Sequence, residues 1–201
     1  MALSSSNPWL SLSSAQEPEN EEPEVEPTPT VVTSPSGPAL PQQGVPVVEG
    51  LPRVYVNAPA RLWWVNVHGG AGGSTLASVV EGSAVTHGWP EVANSDVAPR
   101  VVLVARTHAS GLLAAQAAAT EWASGSTGAD LLGLVLVADA PGRLPRPLKD
   151  MTKLVSGGVP RAWRIPWHEP WRVGEAPTLQ ASPRPVRALV AELDTLAPNM
   201  N

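Results

Sequence analysis

From residue 61 onward the chain alternates short apolar runs with stretches of helical period. Residues 61–67 (RLWWVNV) mix aromatic and β-branched side chains and predict a strand. Ser74–Glu81 predicts a short helix closed by Gly82, and residues 83–99, with Gly88, Pro90, Pro99 and no clear period, read as loop. Val101–Arg106 (VVLVAR) and Leu131–Ala138 (LLGLVLVA) are continuous apolar runs, the pattern of strands buried on both faces. Between them Ser110–Trp122 reads as an alanine-rich helix with Leu112, Leu113, Ala119 and Trp122 turned inward. Pro147–Val155 predicts another helix, ending at Gly157 and Gly158, and Arg161–Ile165 a further strand. The last element is an amphipathic helix with Ser182 as N-cap and Pro183 or Pro185 early in it. Val186, Leu189, Val190, Leu193 and Leu196 share one face, and Pro198 ends it.

Strands and helices alternating at crossover length predict an α/β fold. The expected architecture is a mostly parallel sheet of about four or five strands with helices on both faces, in one domain over residues 51–201. Ligands of such sheets bind beyond the carboxyl ends of the strands. Four segments fall there: the glycine loop after residue 67, RTHAS (106–110), DAPGR (139–143) and IPWHEPW (165–171).

Residues 1–50 differ in kind. Serine, proline and glutamate dominate and apolar residues are isolated, so this acidic tail is expected to be disordered. Trp9 and Leu10 in NPWLSL break the pattern. They read either as a short motif that docks on a protein partner or as a chance hydrophobic pair near a terminus. The tail carries seven glutamates and no lysine or arginine. With a net charge of -5 for the chain, residues 51–201 therefore carry +2. So mild a basicity gives little reason to expect nucleic acid as a partner.

The chain has no cysteine, which excludes a disulfide framework and thiolate metal sites. The first basic residue is Arg53, no apolar run approaches the ~20 residues of a membrane span, and the expected location is cytoplasmic. Arginine outnumbers lysine 11 to 2, a usage that points to a GC-rich genome.

The stretch NVHGGAGGSTLA (66–77) carries the strongest chemical signal. A phosphate-binding loop aims successive backbone N–H groups at an anion, and glycines permit both the dihedrals and the close approach. Gly69, Gly70, Gly72 and Gly73 supply the glycines, and Ser74 or Thr75 stands where a hydroxyl meets Mg²⁺. Strand, glycine loop and STLA helix together resemble the deviant P-loop ATPases of the MinD/ParA type, whose loop reads KGGxGK[ST]. On that pattern His68 replaces the first lysine and Gly73 the second, while Gly69, Gly70, Gly72 and Ser74 match. VVLVARTHASGLLAA, GLVLVADAPGRLP and GVPRAWRIPW are similar to later segments of the same family, so the resemblance runs over about residues 60–197. It implies descent from a nucleotide-binding fold, with a nucleotide and Mg²⁺ as the cofactor class, in an actinobacterial branch carried on plasmids or mobile elements. Both lysines are missing, and the segment that holds the family's switch and acid is very short here. The expectation is therefore a degenerate site without significant hydrolysis, in a protein that acts through protein partners. An active ATPase that borrows a cation is the alternative, and a plain α/β scaffold the third reading. Arg106, Arg143 or His68 are the candidate substitute cations.

Asp139, after a buried strand, invites a second alignment as the acid that holds Mg²⁺ through water; it reads equally as a turn former in DAPG. Four scattered histidines lack metal-binding spacing, and no serine has the setting of a nucleophile elbow. Trp163, Trp167 and Trp171 recur every four residues, but Pro166 and Pro170 argue against a helix through them. The resemblance implies that Trp167 lies near a purine base; packing is the preferred reading of these tryptophans.

Overall fold

The computed structural model describes residues 37–41 and 50–198. Trp9 and Leu10, and most of the segment expected to be disordered, lie outside the described residues. Five parallel strands form the main sheet: β2 (Leu62–Asn66), β3 (Ser83–Thr86), β5 (Arg100–Arg106), β6 (Asp130–Val137) and β7 (Ala162–Ile165), in the order β3-β2-β5-β6-β7. Two further strands, β1 (Arg53–Val56) and β4 (Trp89–Val92), pair in parallel as a separate ribbon. The helices are α1 (Gly73–Ala77), α2 (Ala109–Ala123), α3 (Arg146–Gly157), α4 (Glu169–Arg172) and α5 (Arg184–Leu196).

Side chains of the central strands alternate between two cores. Trp63, Val65 and Val67 with Val101, Leu103 and Ala105 face α2 and α3; Leu62 and Trp64 with Val102 and Val104 face α1 and α5. On β6 the alternation breaks. Leu131, Leu134 and Leu136 face α2 and α3, because the register with β5 shifts between Val101 and Val102 and admits one extra residue. Helices thus cover both faces, as the alternating pattern of the sequence requires.

The segment read as loop, 83–99, instead holds β3 and β4. Among the described residues β3 is an edge strand, paired only with β2. Pro90 fits in β4 because that strand pairs only with β1, so one edge needs no N–H donor. The ribbon is fastened by Glu121 on α2. Its buried carboxylate accepts hydrogen bonds from Leu51 N, Arg53 Nη1 and Trp89 Nε1, each at 2.7 Å. α1 is shorter than expected. After Ala77 the bonds tighten to Val79 N→Leu76 O and Val80 N→Ala77 O, and Gly82 closes the turn at φ +70°. α5 is capped at Pro183 and not at Ser182, whose buried hydroxyl donates to Thr178 O. No described helix is long and apolar enough to cross a membrane.

Candidate functional site

Within the main sheet the chain runs outward in both directions from the β2–β5 pair. β2 crosses over to β3 on one side, and β5 leads to β6 and β7 on the other. The β2–β5 pair is therefore the topological switch point, where loops diverge and leave a crevice. The glycine loop leaves β2 there. Gly70 (φ +74°) and Gly72 (φ +108°) hold the left-handed conformations that glycine alone tolerates readily. Gly73 does not. It is glycine for space, since a Cβ there would sit 2.4 Å from Asn66 Oδ1, the atom that accepts the Gly73 N–H at 2.9 Å. The first amide of α1 is thus bound within the loop.

Two cavities open at the carboxyl ends of the strands, one on each side of the sheet, with Ala138 and Pro166 in the wall of both. The smaller, about 210 Å³, lies beside the glycine loop. Gly72, Thr75, Arg106, Trp167, Trp171 and Arg172 line it, with His168. Arg106, at the end of β5, donates from Nε to Gly70 O at 3.3 Å and from Nη1 to Ala138 O at 2.8 Å. A guanidinium has five N–H donors in a fixed fork, so these two bonds hold its plane while other donors remain. Trp167 Nε1 donates to Glu169 Oε2 at 2.6 Å, and His168 meets Trp171 edge-on at 5.1 Å. The helix that places these last residues, α4, is a single turn with Pro170 inside its first positions, where proline is tolerated.

The larger cavity, about 350 Å³, lies on the α2/α3 side. Leu136, Leu144, Leu148 and Ile165 make it apolar, and His108, Asp139, Arg143 and Arg164 are among its polar lining.

The sequence-derived candidates divide between these places. Gly72, Thr75 and Trp167 come together in the smaller cavity. Gly69 and Gly70 stand on the exposed arm of the loop, and Ser74 is exposed at the start of α1. Asp139 lines the larger cavity, so the structure does not bring it into one pocket with Thr75. His68 is turned away from the smaller cavity. Its Nε2 accepts from Arg106 N at 2.9 Å and its Nδ1 lies 2.8 Å from Gly69 O, so both ring nitrogens are engaged with backbone. Gly111 on α2 leaves room for that ring: a Cβ there would lie 2.9 Å from His68 Nε2. Of the three candidate cations, Arg106 alone lines the smaller cavity. Arg172, Trp171 and His168 also line it; IPWHEPW carries the signal for the last two, Arg172 lies just beyond it, and only the turn of α4 brings the three to one wall.

The donor set fits a phosphate-type anion: two guanidinium groups, a hydroxyl and a glycine that admits close approach. It does not fit a protein-held Mg²⁺, because none of the described residues lining the cavity is a carboxylate. No group of three or more His, Asp or Glu side chains able to hold a metal occurs among the described residues.

No curated protein and no solved structure matches the chain. Residues 60–190, which include β2, the glycine loop and the strand ends that line both cavities, match the family of unknown function DUF6668, and the chain belongs to that family.

Proposed function

We propose that the protein is a degenerate, MinD/ParA-like P-loop module that binds a nucleotide or a related polyphosphate without turning it over, and that acts through protein partners. One observation carries this reading: Arg106 reaches from the neighbouring strand across the glycine loop into the cavity that also holds Thr75, Trp167 and Arg172. The charge missing from the loop is supplied from β5. At about 210 Å³ the cavity is smaller than pockets that enclose a drug-sized ligand, roughly 300–1,000 Å³. It therefore takes the phosphates and leaves the base against Trp167 and Trp171 at the rim. Phosphoryl transfer rests on positioning and on charge at the β- and γ-phosphates. With no carboxylate among its described lining residues to place a metal, the site holds the anion and leaves the bond intact.

The test is a calorimetric titration with ATP, with and without Mg²⁺, beside a phosphate-release assay. Binding is expected to survive removal of Mg²⁺, and release to stay at background. Arg106→Ala removes charge-assisted hydrogen bonds of about 1.5–3 kcal/mol each, so affinity falls roughly 10–100-fold. Turnover above background contradicts the degenerate reading. Undiminished binding by Arg106→Ala contradicts the role given to that residue.

A further inference from the structure

We propose that the larger cavity is occupied by the chain's own amino-terminal segment, residues 7–12, with Trp9 as the anchor. This inference is independent of the nucleotide reading, since it concerns the opposite side of the sheet. Three observations support it. The first is the match of surfaces. The cavity, about 350 Å³, is floored by Leu136, Leu144, Leu148 and Ile165, and Trp9 is the one aromatic residue in positions 1–50. Tryptophan fills such pockets well, with a large apolar body and one polar N–H that finds a partner at a polar rim.

The second is where the described chain begins. Gly37 lies so close to the backbone of Gly157 and Val159 that a Cβ would sit 2.3 Å from Val159 O, and Pro38 lines a separate cavity with Leu154 and Ala119. The described residues 37–41 therefore meet the α2/α3 face at the carboxyl end of α3. The apolar cavity is at the other end of that helix, where Pro145, Leu148 and Thr152 line it. A helix of this length spans about 18 Å at 1.5 Å per residue. The stretch between Trp9 and Gly37 reaches several times that distance at up to ~3.3 Å per residue.

The third is charge. That stretch carries Glu17, Glu19, Glu21, Glu22, Glu24 and Glu26 and no basic residue. The chain's only two lysines, Lys149 and Lys153, are exposed on α3 beside exposed Arg146, against a single acid, Asp150, on that helix. The route from Gly37 to the cavity thus runs along a basic helix. A tether also supplies a local concentration on the order of 1 mM, so docking needs only modest intrinsic affinity.

Because the chain lacks cysteine, Ser11→Cys accepts a spin label at one position of the full-length protein. Methyl spectra then report where the label lies. The Leu144, Leu148 and Ile165 methyls are expected to lose most of their intensity, while those of Val80 and Leu189, across the sheet, keep theirs. Adding Trp9→Ala restores the lost signals, and so, in part, does the exposed pair Lys149→Glu with Lys153→Glu. Mixing labelled chains with isotope-enriched unlabelled chains leaves the spectrum unchanged. Intact cavity methyls, a loss that survives both variants, or a loss in the mixed sample, which would place the segment on a second copy, each overturns the proposal.

Discussion

Replacing Glu121 by alanine is expected to lower stability by about 3–5 kcal/mol, because it leaves the half-buried Arg53 guanidinium and two further donors without their acceptor. The carboxylate is the common partner of Leu51 N, Arg53 Nη1 and Trp89 Nε1, and its side chain is only 6% exposed. For a domain of this size the loss corresponds to a fall in melting temperature of roughly 10 °C. Glu121→Gln keeps the volume and one oxygen but turns an amide N–H toward a donor, so it falls between the wild type and alanine. Thermal and urea melts of the three forms check the order. An alanine variant as stable as wild type would mean that the β1–β4 ribbon is held by apolar packing of Trp89 alone.

Restoring the lysine that the loop lacks, Gly73→Lys, is expected to damage the protein and not to improve it. A Cβ at this position meets the Asn66 amide at 2.4 Å, so Asn66 must move and the Gly73 N–H loses its acceptor. Overpacking and an orphaned buried donor together cost about 2–5 kcal/mol. Asn66→Ala combined with Gly73→Lys removes the clash but not the orphaned donor, so the double variant recovers only part of the loss. The two changes are therefore non-additive in a mutant cycle. Chemical denaturation of the four forms reads this directly. A stable Gly73→Lys protein with higher affinity for ATP would show that the loop readily adopts the lysine-bearing geometry.

These two sites also mark what the sequence reveals. The strands buried on both faces announce themselves: VVLVA and LLGLVLV have no polar position to hide, and they lie at the centre of the sheet. The edge does not. SAVT is only half buried and WPEV contains a proline, so neither has the period or the length that marks a strand, and their pairing depends on partners distant in sequence. The role of Glu121 is hidden for the same reason. It lies in an alanine-rich helix, and its three donors come from residues 51, 53 and 89. At the candidate site, local chemistry is legible and assembly is not. The glycines mark the loop, and two cavities lie at the strand ends to which the sequence points. His68 turns away because its ring accepts the Arg106 backbone N–H, and the Arg106 side chain is held toward the loop by its bonds to Gly70 O and Ala138 O. Asp139 and Thr75 fall in different cavities because the segment after β6 turns toward the α2/α3 face, whereas α1, after β2, packs on the opposite face.

The most direct measurement of the central claim reads the indole N–H signals of the full-length protein during titration with ATP. The structure puts Trp167 and Trp171 at the wall of the smaller cavity, while Trp89 and Trp163 are buried and bonded to Glu121 and Glu192. Saturable shifts are expected at Trp167, Trp171 and the Gly72 amide, equal with and without Mg²⁺ and lost in Arg106→Ala. Shifts confined to other tryptophans, or no saturable shift at any of these positions, would contradict that claim.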